Sequence, residues 1–159
     1  MSNPSYTASI SVDSTPGRVF DAINDIRGWW LEQIEGDNHA VGDEFSFRVQ
    51  GLHYSRIRVT EIVPGKRVVW RVLDNHMTFV DDQTEWIDTE IRFEISEQDG
   101  ATDVRFTHVG LVPDYECFDI CSNAWGMYVG DSLRSLITTG EGKPSFNPDE
   151  MRDQEQRVG

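Results

Sequence analysis

The chain has 159 residues, the length of one ordinary domain, which leaves little room for a second one. Asp and Glu number 28 against 14 Lys and Arg, giving a formal net charge of -14. Such a surface repels nucleic-acid phosphates and anionic lipid headgroups, so we expect neither nucleic-acid binding nor membrane insertion. The sequence has no apolar run of about 18 residues and no secretion signal, so the expected location is the cytoplasm.

Short patterns predict the first elements of the chain. Residues Tyr6–Val12 alternate between apolar and polar side chains, which indicates a half-buried strand. Thr15 followed by Pro16 is typical of a helix N-cap and first turn. A second short helix is predicted over residues 26–31, ending beside Trp30 and a polar loop.

A period of two from residue 43 onward predicts a run of antiparallel strands. The strands are expected at residues 43–49, 54–59, 68–72, 86–95 and 104–108. The pattern is clearest over 86–95, where it aims Ile91 and Phe93 inward and Glu90 outward. Residues 73–85 are too long for a hairpin turn and predict either an extra strand or a flap.

The last part of the chain predicts a long helix and a tail. Residues 115–138 have helical spacing of apolar side chains, although Gly126 and Gly130 weaken an isolated helix. Residues 145–159 are rich in charge and have no apolar pattern, so we expect a disordered tail there.

This order of elements indicates an α+β fold. Two short helices follow the first strand, and a curved antiparallel sheet of about six or seven strands wraps around the long C-terminal helix. The inward side chains of such a sheet diverge from the helix. They are expected to leave a cleft lined by apolar and aromatic groups, where small ligands bind.

Several short motifs are distributed along the chain. They are Ser14-Thr15-Pro16, Trp29-Trp30, Val59-x-Glu61-x-Val63-Pro64, Phe106 through Pro113, and Gly140-x-Gly142-x-Pro144. Through them the chain resembles the helix-grip superfamily, also called START-like or SRPBCC, and within it the AHSA-type proteins, which are similar to the C-terminal domain of the activator of the ninety-kilodalton heat-shock chaperone ATPase. The resemblance implies a single domain over residues 1–144 and a role in stress response or ligand binding.

Two polar residues are candidates for the site. The strand parity that buries Val104 and Phe106 also aims His108 at the helix, where it would contact a ligand, move protons, or be a hydrogen-bonded core residue. Cys121 lies on the inward face of the long helix and is either a reactive thiol or inert packing. No cationic residue is adjacent to Cys121 in sequence to lower its pKa.

The other candidate ligand-binding residues are large and face inward, so each either fills the core or lines a cavity. They are Trp30, Phe47, Trp70, Phe93, Phe106, Trp125 and Tyr128. The four histidines are scattered along the sequence. Cys117 and Cys121 would supply only two of the four ligands of a structural zinc site. We therefore expect no metal and no cofactor.

The leading functional hypothesis is a protein that holds a small hydrophobic or aromatic ligand between the sheet and the C-terminal helix, oriented by His108 and Tyr128. Two alternatives stay open. One is a chaperone-associated protein-interaction module whose acidic surface attracts a basic partner. The other is an aromatase/cyclase-type enzyme in which His108 moves protons together with Tyr128 or His76.

Overall fold

The computed structural model describes residues 5–31, 34–49, 53–78, 80–81 and 83–143. The tail predicted at residues 145–159 lies outside these ranges. None of the described helices has the length and apolarity that crossing a membrane requires.

Seven antiparallel strands form one sheet in the order β1-β7-β6-β5-β4-β3-β2. The strands are β1 (Tyr6–Val12), β2 (Ile34–Gly36), β3 (Glu44–Val49), β4 (His53–Val63), β5 (Arg67–Met77), β6 (Glu90–Gln98) and β7 (Ala101–Val109). Helices α1 (Pro16–Asn24) and α2 (Ile26–Trp29) carry the chain from β1 at one edge to β2 at the other. The α+β helix-grip prediction is confirmed, and the short edge strand β2 is an addition to it.

The sheet is bent where its two longest strands pair. The β4–β5 register shifts between Arg56 and Ile57 and again between Val59 and Glu61. Each shift leaves one strand with an extra residue, which increases local twist and bends the sheet. The inner face consequently wraps around the C-terminal helix.

The C-terminal helix has three parts: α3 (Phe118–Met127), a π-helical turn (Tyr128–Leu133) and α4 (Arg134–Thr139). The predicted start at residue 115 was wrong, because Tyr115 and Phe118 close tight turns onto the carbonyl groups of Val112 and Tyr115. The helix ends at Gly140, whose φ of 86° is the left-handed conformation that glycine adopts freely.

Beyond α4 the chain turns back against α2. The Ser132 hydroxyl donates to the Trp29 carbonyl group at 2.6 Å and accepts the Lys143 N–H at 2.7 Å. A Cβ at position 142 would collide with the backbone oxygen of Gly28. This close approach explains why a glycine stands at position 142.

The predicted strand over residues 86–95 was wrong in its first part, because β6 begins only at Glu90. Asp88 has a φ of 69°, and the Thr89 hydroxyl donates to the Trp86 carbonyl group at 2.6 Å. This turn reverses the side-chain parity, so that Trp86 is buried instead of facing outward. The extra strand considered at residues 73–85 is partly the continuation of β5, which ends at Met77. The segment between β5 and β6, residues 78–89, is termed the β5–β6 loop, and its positions 79 and 82 lie outside the described residues.

The β5–β6 loop is attached to the two residues that precede α3. The Glu85 carboxylate accepts the backbone N–H groups of Glu116 at 2.9 Å and Cys117 at 3.2 Å. In return, the Asp81 N–H donates to the Glu116 carboxylate at 3.1 Å. Cys117 supplies no side-chain cap of its own, so Glu85 caps the helix from another part of the chain.

We expect Glu85→Ala to lower the free energy of unfolding by about 1–2 kcal/mol, because it leaves two N–H groups at the helix start without their acceptor. Urea unfolding followed by circular dichroism measures the change. Glu97→Ala, at an exposed site near the end of β6, serves as the control and should change stability by less than about 0.5 kcal/mol. Equal losses in the two variants would show that Glu85 does not cap α3.

Candidate functional site between the sheet and the C-terminal helix

All nine residues predicted as ligand-binding are buried, none being more than 4% exposed. Ring contacts join seven of them, and Cys121 and Tyr128 lie on the inward face of the C-terminal helix. The nine residues are Trp30, Phe47, Trp70, Phe93, Phe106, His108, Cys121, Trp125 and Tyr128. The fold therefore brings them into one interior region.

All five tryptophans of the chain belong to one network of ring contacts. Trp30 stacks on Trp29 and Trp70, with centroids 6.0 Å and 5.9 Å away. It also lies 5.0 Å from Trp125, which stacks on Trp86 at 5.9 Å. The network runs from the helix α2 end of the core to the β5–β6 loop.

Trp86 is the site residue that the sequence analysis missed. Its ring lies edge-on to His53 at 4.7 Å and to His108 at 4.8 Å, so two histidines flank it. Its indole N–H is buried, has no hydrogen-bond partner among the described residues, and faces the weakly accepting thiol of Cys121. The sequence contained one signal for this role: Trp86 directly follows residues 73–85, a segment that is too long for a hairpin turn.

His108 has both ring nitrogens engaged. The Thr89 hydroxyl gives its proton to the Trp86 carbonyl group, so it accepts the His108 Nε2–H at 2.8 Å. The Trp125 indole N–H donates to Nδ1 at 3.1 Å. The imidazole is thus neutral, carries its proton on Nε2 and holds Trp125 in place.

A second buried polar group, termed the polar corner, lies at the other side of Trp86. It consists of His53, Ser55 and Asn75, which sit on the paired strands β4 and β5. The Ser55 hydroxyl lies 3.0 Å from both His53 Nε2 and Asn75 Nδ2. Asn75 Oδ1 accepts the backbone N–H of Trp86 at 3.2 Å, which ties the loop to the sheet.

Burial sets the protonation states of this region. It lowers the pKa of His53 to about 3, and it lowers that of His108 to about 3 with a further contribution from the charge that His53 would carry. Burial also raises the pKa of Cys121, and the neighbouring Cys117 thiol raises it further. The histidines are therefore neutral and Cys121 is a thiol, which makes it a poor nucleophile.

His76, one of the two proposed partners of His108 in proton transfer, does not lie near His108. His76 is exposed on β5 beside Gln83, whereas His108 is fully buried, so this proton-moving pair does not form. Within the described ranges, no three His, Cys, Asp or Glu side chains are grouped as metal ligands.

The free energy of unfolding should fall as the pH decreases from about 7 to about 5. The folded histidines bind protons far more weakly than an unfolded histidine of pKa 6.5, so protonation favours the unfolded chain. Each buried histidine should contribute a loss of about 1–2 kcal/mol, measured by urea unfolding at the two pH values.

His108→Gln should remove about half of this pH dependence, and the control His39→Gln, at an exposed position, should keep it. Identical pH dependence in wild type and His108→Gln would contradict the protonation state assigned to His108.

Comparisons with known proteins agree with this architecture. The Aha1 dimer from Colwellia psychrerythraea is similar at 25% identity, with a TM-score of 0.70, over 89% of this chain and 100% of that one. DynU16, from the dynemicin biosynthetic locus, is 14% identical with a TM-score of 0.64, over 89% of this chain and 49% of that one. CalU16 from Micromonospora echinospora is 17% identical with a TM-score of 0.59, over 95% of this chain and 81% of that one.

The search of curated proteins finds no significant match. The family model described as Activator of Hsp90 ATPase homolog 1-like protein matches residues 13–138, most of the chain. The chain therefore belongs to this AHSA1 family, within the SRPBCC superfamily.

Proposed function

We propose that the protein binds a small, planar and largely apolar molecule with one polar end. The site lies between the sheet and the C-terminal helix, at the position that the Trp86 indole fills. The bound molecule replaces this indole when the β5–β6 loop moves away from the start of α3. The observation that carries the proposal is a tryptophan from a loop inserted in the core, whose buried N–H faces only the weakly accepting thiol of Cys121.

The way Trp86 is held favours exchange with a ligand. A buried donor that meets only a weak acceptor recovers little of the free energy of its lost hydrogen bond to water, so the indole is imperfectly matched to its surroundings. The part of the loop next to Trp86 is fastened to its surroundings by the contacts of Glu85 and Glu116 near the start of α3 and by that of Asn75 with Trp86. Gln83, Asp88 and Thr89 hold the loop to β5 and β7 by further hydrogen bonds. The contacts next to Trp86 can be replaced by water when the loop opens, whereas strand pairing elsewhere in the sheet is unaffected.

The groups around Trp86 indicate the chemistry of the ligand. The faces of Trp125 and Phe106 form an apolar wall, with ring centroids 4.7 Å apart. At one end, Asn75 Oδ1 of the polar corner becomes available as an acceptor when the backbone N–H of Trp86 moves away with the loop. A flat aromatic molecule with one hydrogen-bonding group matches this combination.

The other predicted residues have distinct roles in this proposal. His108 is a positioning residue, because its ring orients Trp125 through Nδ1. Trp30, Phe47, Trp70 and Phe93 extend the aromatic wall, whereas Cys121 lies against the indole on the helix side.

The π-helical turn beginning at Tyr128 supports the same location for the site. Such turns are rare and are frequently found at functional sites. This one lies directly after α3, the helix to which the β5–β6 loop is attached.

Binding to a chaperone or another protein is the second candidate function. The family match and the net charge of -14 support it, since an acidic surface attracts a basic partner. Among the described residues, only Val41 and Val63 are large hydrophobics exposed at the surface. With so few large apolar side chains exposed on the described surface, a docking contact would depend on charge, and it should weaken as salt is added.

The proposal is tested with 2-naphthol, a two-ring probe of about the size of an indole with one hydroxyl group. We expect it to quench tryptophan fluorescence saturably in the wild type, because all five tryptophans belong to one network of ring contacts in the core. Trp86→Ala removes the competing indole and should bind the probe about tenfold more tightly or better. Trp86→Phe loses less packing than Trp86→Ala, so its affinity for 2-naphthol should lie between those of the wild type and Trp86→Ala.

Trp29→Phe is the matched control, because Trp29 belongs to the same network but does not contact Trp86. This variant should bind 2-naphthol with the affinity of the wild type.

Bound probe should also raise the melting temperature of Trp86→Ala. Native mass spectrometry before and after organic extraction identifies any copurifying molecule. Absence of saturable binding in the wild type and both Trp86 variants, or equal affinity in all of them, would overturn the proposal.

A further inference from the structure

Cys117 and Cys121 form a pair of buried thiols at the start of α3. They are the two cysteines of the chain, both are free, and they are 0% and 3% exposed. The Cys121 N–H donates to the Cys117 carbonyl group at 2.7 Å, which places the two residues one helical turn apart on the same face. Their thiols are in hydrogen-bond contact, so the two sulfur atoms lie side by side.

The thiol pair is covered by the β5–β6 loop. The Glu85 carboxylate accepts the Cys117 N–H at 3.2 Å, and the buried Trp86 indole N–H is aimed at the Cys121 sulfur, which is its only acceptor among the described residues. Sulfur is a weak acceptor, so the position beside the thiols is imperfectly filled by the indole. The loop opening of the function proposed above uncovers both thiols together, and the present inference rests on that opening.

The helical spacing of the two cysteines favours a bridging atom over a disulfide. A disulfide requires Cβ atoms about 3.5–4.5 Å apart. Residues one turn apart on a helix have Cβ atoms about 5–6 Å apart, so a direct bond between the sulfurs would unwind the start of α3. One additional atom bonded to both sulfurs lengthens the link and leaves the helix intact.

The number of ligands and the burial of the pair select the bridging atom. A structural zinc ion takes four ligands, whereas no three His, Cys, Asp or Glu side chains are grouped within the described ranges. A metal ion would also convert both thiols to thiolates and bury charge. Trivalent arsenic bonded to carbon needs only two sulfur atoms from the protein, and its adduct with two thiols is neutral.

We propose that Cys117 and Cys121 together bind trivalent organoarsenicals that carry an aromatic ring. Each sulfur forms one bond to arsenic, the bonds between arsenic and oxygen break, and the two thiol protons leave with that oxygen as water. Arsenic remains trivalent, so the step needs no oxidant or reductant. The aromatic ring takes the place of the Trp86 indole, against Trp125 and Phe106.

The test uses phenylarsine oxide and the intact mass of the full chain. We expect one phenylarsenic group per chain, added with loss of one water. Excess glutathione, a monothiol, should leave the group in place, whereas the dithiol 1,2-ethanedithiol should remove it. Cys117→Ser and Cys121→Ser each leave a single thiol, so either variant should bind about a hundredfold more weakly.

The matched control combines Cys121→Ser with Ser122→Cys. It keeps two thiols in the chain but places the second off the helix face of Cys117, so it should bind as weakly as Cys121→Ser. Trp86→Ala keeps both thiols and lacks the covering indole. It should therefore take up phenylarsine oxide about tenfold faster than the wild type, and this readout does not depend on the folding of the serine variants.

An unmodified mass of the wild type would overturn this proposal. So would removal of the group by glutathione, tight binding by the variant with the displaced thiol, or equal rates of uptake in the wild type and Trp86→Ala. Binding of 2-naphthol needs no thiol, which keeps the two proposals distinguishable. A wild type that binds 2-naphthol but not phenylarsine oxide refutes the arsenical site alone, and the reverse result refutes only the function proposed above.

Discussion

The attachment of the β5–β6 loop to the start of α3 is the contact on which the interior depends. Glu85 satisfies two N–H groups that the helix itself cannot satisfy, and in doing so it fixes the residue next to Trp86. The same local interaction therefore completes the helix and inserts an indole in the core. A change at this contact alters both the stability of α3 and access to the space between the sheet and the helix.

The inserted indole in turn explains the electrostatics of the core. Trp86 separates His53 from His108 and excludes water from both rings, so the two imidazoles are held neutral. Each ring is used to orient other groups: His108 holds Trp125, and His53 is part of the polar corner. This interior is built for shape and hydrogen bonding, which agrees with ligand binding more closely than with proton transfer.

The sequence predicted the features that periodicity controls. Alternation placed Phe93, Phe106 and His108 inside, and helical spacing placed Trp125 on the inward face. It could not predict Trp86, because the left-handed residue Asp88 breaks the alternation just before β6. Contacts between distant segments could not be predicted either. The polar corner depends on the bulged register between β4 and β5. The hydrogen bond between Asn38 and Asn24 depends on the path that the chain takes between the two edges of the sheet.

The central claim is that a ligand takes the place of the Trp86 indole. Fluorine NMR of the protein labelled with 5-fluorotryptophan follows all five indoles separately, and the Trp86→Phe variant assigns the signal of residue 86. On saturation with 2-naphthol, this signal should move to the position of a solvent-exposed fluoroindole, while the Trp29 and Trp70 signals keep their buried positions. A Trp86 signal that stays at its buried position when the probe is fully bound would contradict the claim.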